Sequence, residues 1–67
     1  MISAKTTKRL ASEFKDIFED INEACKKSGE SVVALSDTNY YAQQIHNMED
    51  DRSFSDCVAI AEEMAKL

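Results

Sequence analysis

A chain of 67 residues with a formal net charge of −5 has room for one small domain, which we take as residues 1–67. It has no Pro and one Gly, too few of either for a many-stranded protein, which excludes an all-β sandwich or barrel. No apolar run approaches the ~20 residues that span a bilayer. The N-terminus also lacks the apolar segment of a secretory signal, so we expect a cytoplasmic protein without membrane contact.

The charge is unevenly distributed along the chain. Residues 1–28 carry a net charge of +1, and residues 29–67 carry −6. Because binding to phosphates requires clustered Lys and Arg, we expect no direct general binding to nucleic acids.

The first predicted element is a helix over about residues 4–27. Ser3 or Thr6 can cap its start, and Lys26, Lys27 and Gly29 form a strong stop signal. Its apolar residues recur every three or four positions and form a stripe about two residues wide. The stripe consists of Leu10, Ala11, Phe14, Ile17, Phe18, Ile21, Ala24 and Cys25. We expect Phe14, Ile17, Phe18 and Ile21 to be its most buried members.

The second predicted element is a helix over about residues 31–49, capped by Ser31. A break near residues 36–38 is the alternative, because Ser36-Asp37-Thr38 contains a second possible cap. Residues 31–35 also have the composition of a short strand. They lack a partner strand to satisfy their backbone, so we prefer a helix.

The third predicted element is a helix over about residues 54–66, after a charged connector at residues 49–52. Ser53 or Ser55 can cap it, and Asp56 favours the start of a helix. Its apolar stripe contains Phe54, Cys57, Val58, Ile60, Ala61, Met64, Ala65 and Leu67.

Three amphipathic helices with short connections predict an all-α fold: a small three-helix bundle in up-down-up order, or a helical hairpin with a long first helix. The first helix would be ~35 Å long at 1.5 Å per residue, and the two shorter helices cannot cover it completely. Self-association would complete the core, and we expect a homodimer.

Cys25 and Cys57 are expected at different levels of such a bundle, ~22 Å apart along the helices. A disulfide needs Cα atoms within ~7 Å, so both thiols are expected to be reduced. With a single His and two distant cysteines, we predict no metal site and no cofactor.

Residues 36–48 are the most informative part of the chain for binding. They contain one formal charge in thirteen residues and both Tyr residues. Loss of charge together with Tyr and amide side chains is typical of a contact surface. We predict that Tyr40, Gln43, Gln44, His46 and Asn47 bind a partner. Tyr41 is expected to pack in the core, and a solvated polar helix side is the alternative for the rest.

A weaker signal lies at the start of the first helix. Lys5, Lys8 and Arg9 stand at the positive end of the helix dipole, where anions are preferred, and with free helix amides they form a possible anion-binding site. The alternative is a solvated helix start.

These features predict a small helical protein–protein interaction module, acting as an accessory regulator, inhibitor or adaptor through a protein partner. The first alternative is an oligomeric binder of a small phosphorylated or nucleotide ligand, and the second is an acidic mimic of nucleic acid. We do not expect an enzyme, because no paired acid and base, nucleophile or metal set stands out.

Overall fold

The computed structural model describes residues 2–67 as three helices, without a strand in that range. They are α1 (Ala4–Lys27), α2 (Thr38–Met48) and α3 (Phe54–Lys66). The all-helical, three-helix prediction is confirmed, and α1 and α3 have the predicted bounds. None of the three helices combines the length and apolar content needed to cross a bilayer.

Local sequence signals explain both ends of α1. The Ser3 hydroxyl accepts a hydrogen bond from the Thr6 N–H at 3.1 Å and so caps the first turn. At the other end Gly29 adopts φ +80°, which a residue with a side chain rarely adopts. The Glu30 N–H then reaches back to the Cys25 carbonyl at 2.9 Å, the hydrogen bond of a Schellman end. Ser53 caps α3 in the same manner as Ser3 caps α1.

The prediction of a helix over residues 31–49 is wrong for its first seven residues. The cap is Asp37, whose carboxylate accepts the Tyr40 N–H at 3.2 Å, and not Ser31. Residues 30–37 instead form a non-helical segment, in line with the low helix propensity of consecutive β-branched residues. The Val33 carbonyl accepts a hydrogen bond from the Tyr41 hydroxyl at 2.6 Å, so a side chain satisfies this backbone group where no strand is present.

All three helices contribute to the core. Phe18 of α1 stacks on Phe14 and contacts Tyr41 of α2, with ring centroids 6.1 and 4.9 Å apart. Asn22 donates a hydrogen bond to the Tyr41 hydroxyl at 3.0 Å, which fixes the level of α2 along α1. The buried apolar residues are Leu10, Ala11, Phe14, Phe18, Tyr41, Ala42, Ile45, Cys57, Ile60, Ala61 and Met64.

Helix α1 determines the longest dimension of the molecule, which measures 38 × 22 × 15 Å. Helix α2 runs antiparallel to α1, since Tyr41 lies beside Phe18, and Met48 lies beside Leu10. The last turns of α3 lie beside the first turn of α1, where Lys8 and Glu63 line one cavity. In a simple up-down-up bundle the end of α3 would lie beside the end of α1. The arrangement of the three helices therefore departs from that pattern. Both cysteines are free, as predicted.

Candidate protein-binding face

The prediction that Ile17 and Ile21 are buried is wrong. They are 41% and 47% exposed, whereas Phe14 and Phe18 beside them are buried. The reason is the side of α1 on which α2 packs, since Tyr41 in its first turn contacts Phe18 and Asn22. Residues 32–35 precede α2 and share a cavity with Asn22 and Glu23, on a different side of α1 from Ile17 and Ile21. Two large aliphatic side chains therefore remain uncovered on the middle of α1.

A shallow groove connects Ile17 to the end of α2. Met48, which is 51% exposed, forms its opposite wall. The full lining is Leu10, Glu13, Phe14, Ile17, Met48 and Glu49. Sequence reasoning predicted an excess apolar stripe on α1 that a second copy would cover, but it did not identify Ile17, Ile21 or Met48 as the exposed residues. The signal was the width of the α1 stripe, which exceeded what two short helices can cover.

Four of the five predicted partner-binding residues lie together on the outer side of α2. Tyr40, Gln44 and Met48 follow one another at intervals of four residues, and Gln43 and Asn47 form the neighbouring row. Tyr40 is 42% exposed and its ring meets the ring of Tyr41 edge-on, with centroids 5.0 Å apart.

Met48 ends the exposed row of α2 and also lines the groove beside Ile17. The exposed row of α2 and the exposed isoleucines of α1 therefore lie next to each other. We use the name binding face for the combined surface, which consists of Ile17, Ile21, Tyr40, Gln44 and Met48, with Gln43 and Asn47 at its edge.

His46 does not belong to the binding face. Its Nδ1 lies 3.0 Å from the Arg52 carbonyl, and its ring meets Phe54 edge-on with centroids 5.9 Å apart. Arg52 in turn donates two hydrogen bonds to Glu49, from Nε at 3.1 Å and from Nη2 at 2.8 Å. These hydrogen bonds raise the pKa of Arg52. Through these contacts with Arg52 and Phe54, His46 stabilises the connector between α2 and α3.

The charges around the binding face are asymmetric. On α1, Glu13 and Asp20 are exposed and lie within one turn of Ile17 on its outer side. On α2, Tyr40, Gln43, Gln44, Asn47 and Met48 carry no formal charge. The Gln43 amide nitrogen donates to the Asn47 side-chain oxygen at 2.9 Å, so the Asn47 amide nitrogen remains a donor on an exposed side chain.

The basic residues at the start of α1 lie elsewhere. Lys5, Lys8 and Arg9 are exposed, and Ser3 already occupies the Thr6 amide that an anion would need. Lys8 shares a cavity with Glu62, Glu63 and Lys66 of α3. A hydrogen bond from Lys66, with a smaller contribution from Lys8, lowers the pKa of Glu63. The anion site therefore stays a prediction. The carboxylates nearest to Lys8 would compete with an external anion for its ammonium group.

Within residues 2–67, no three His, Cys, Asp or Glu side chains are grouped in a way that could hold a metal ion. Comparison with protein-family models, with curated proteins and with solved structures finds no significant match.

Proposed function

We propose that this chain is a protein–protein interaction module that acts as an accessory regulator, inhibitor or adaptor, and that it uses the binding face to hold its partner. The observation that carries the proposal is the exposure of Ile17 and Ile21 beside the uncharged outer side of α2. Large aliphatic groups at the centre of a patch with Tyr and amides around them have the composition of a contact surface. We include a cytoplasmic location in the proposal, which two free cysteines support.

The partner to which we commit is a second copy of the chain. A domain this small buries only ~60% of the surface of its unfolded form, and self-association adds buried area without new sequence. The uncovered residues lie in the middle of α1, so a twofold arrangement can cover them on both copies. A different protein that uses the same face would compete with the second copy. Dimer formation therefore provides a direct measurement of binding by this face.

Sedimentation equilibrium over a range of protein concentrations tests the proposal. We expect the wild-type chain to associate, and Ile21→Glu to weaken the dimer by about 2 kcal/mol or more, which is roughly 30-fold in Kd. Tyr40→Ala should weaken the dimer and keep its helical circular dichroism spectrum. Leu67→Glu is the matched control, because Leu67 is an exposed apolar residue outside the binding face.

The control should associate like the wild type. A wild-type chain that is strictly monomeric up to high micromolar concentration would contradict the proposal. Equal association of wild type and Ile21→Glu would show that the dimer uses another surface.

A further inference from the structure

The two halves of the binding face differ in charge. The α1 half has Ile17 and Ile21 with the carboxylates of Glu13 and Asp20 along its outer edge. The α2 half has Tyr40, Gln44 and Met48 with amide side chains along its outer edge. Two twofold arrangements with aligned helices bring the binding faces of two copies together.

In the first arrangement, α1 packs on α1 of the second copy, and α2 packs on α2. Glu13 and Asp20 of both copies then lie along one seam, and these four carboxylates repel one another. The chain also carries −5 in total, so no general attraction between copies offsets that repulsion.

In the second arrangement, a twofold axis runs along the helices, and α1 of each copy packs on α2 of the other. We call this crossed pairing. The Glu13 and Asp20 carboxylates then face the amide row of the second copy. The amide nitrogen of Asn47 is a hydrogen-bond donor, and a carboxylate is an acceptor, so the edges are complementary.

We infer that the chain dimerises by crossed pairing. The isoleucines of α1, with the carboxylates at their outer edge, pack on the uncharged row of α2 from the second copy. This inference rests on the proposed function and specifies how the partner binds. It also explains why the charge-poor part of the chain is the outer side of α2. Like charges at those positions would lie against Glu13 and Asp20.

Disulfide trapping tests the inference directly. An axis along the helices preserves the level of each residue. Tyr41 lies level with Phe18 and Asn22, and Gln44 lies ~4.5 Å nearer the start of α1, so Ile17 should face Gln44 of the second copy. The variants are Ile17→Cys and Gln44→Cys, both made with Cys25→Ser, while the buried Cys57 stays in place. One of them carries an extra affinity tag, so that the mixed product separates by size on a non-reducing gel.

Crossed pairing predicts that the 1:1 mixture forms the mixed disulfide readily, and that each variant alone cross-links slowly. Rapid cross-linking of Ile17→Cys alone would overturn crossed pairing. If that occurs while sedimentation shows a dimer, the proposed function stands and only this inference fails. If the chain is monomeric in sedimentation, both fail.

A charge substitution gives a second, independent readout. Asn47→Lys should tighten the dimer about twofold to fivefold, because it would meet carboxylates across the interface, and Asn47→Asp should loosen it by a similar factor. The alternative arrangement predicts that Asn47→Lys loosens the dimer, because the introduced cations of the two copies would approach each other. A loosened Asn47→Lys dimer would therefore overturn crossed pairing.

Discussion

Helix α1 carries two neighbouring apolar rows that the structure treats differently. Leu10, Phe14 and Phe18 are buried under α2 and α3, while Ile17 and Ile21 are more than two-fifths exposed. The rows have similar hydrophobicity and belong to one continuous stripe. What separates them is the side of α1 on which the neighbouring helices pack, since Tyr41 of α2 contacts Phe18 and Asn22. Periodicity thus defines which side of a helix is apolar, and tertiary contacts decide how much of that side is core.

The largest expected effect concerns those two rows. Phe14→Ala should lower the free energy of unfolding by about 3–5 kcal/mol, because Phe14 is 4% exposed and its removal leaves a cavity in the core. Ile17→Ala should lower it by only about 1 kcal/mol when the chain is monomeric, because Ile17 is already 41% exposed and less buried area is lost. Urea denaturation at low micromolar concentration measures both. A similar loss for the two variants would mean that Ile17 belongs to the core.

The ends of α1 and α3 could be predicted from sequence because their signals are local. Ser3, Gly29 and Ser53 act on residues within one or two turns. The start of α2 could not be predicted in the same way. Two possible caps compete there, and the extended segment before Asp37 is held by the Tyr41 hydroxyl, eight residues away.

The candidate site was predictable in part for the same reason. Helical spacing alone places Tyr40 and Gln44 in one row, with Asn47 in the next row beside them, and the structure agrees. The same spacing separates His46 from that row, which composition alone concealed. The exposure of Ile17 and Ile21 depends on which side of α1 the other helices cover, so identifying the apolar half of the binding face required the three-dimensional structure.

The adjacent tyrosines extend the comparison of buried and exposed residues to hydrogen bonding. Tyr41→Phe should cost about 1–2 kcal/mol, because it removes the donor to the Val33 carbonyl and the acceptor for Asn22. Tyr40→Phe should leave stability unchanged, because Tyr40 is half-exposed and contributes its ring. Thermal unfolding of the two variants beside wild type measures the difference. Equal melting temperatures for both variants would mean that the hydrogen bond from Tyr41 to the segment at residues 30–37 does not stabilise the fold.

The two cysteines give another comparison of a buried residue with a more exposed one, and the expected effect is the smallest of the predictions. Cys57 is completely buried and Cys25 is half-buried. Burial raises the pKa of the Cys57 thiol, and the nearby Arg52 offsets part of that rise. A free Cys has a pKa of ~8.5, so above that pH the unfolded chain loses this proton while the folded chain retains it. The folded state then binds more protons than the unfolded state, and its stability must fall as pH rises.

Urea denaturation between about pH 7 and pH 9.5 should therefore show a decline in the free energy of unfolding that begins near pH 8.5. Cys57→Ala should lower stability at every pH, because it removes a buried side chain, and should flatten the decline. Cys25→Ala is the matched control, because it removes the other cysteine. Alkylation in native buffer adds a kinetic check, since Cys25 should react well before Cys57. Equal alkylation rates, or the same slope in all three proteins, would mean that Cys57 is accessible in the folded chain and that burial does not control its ionisation.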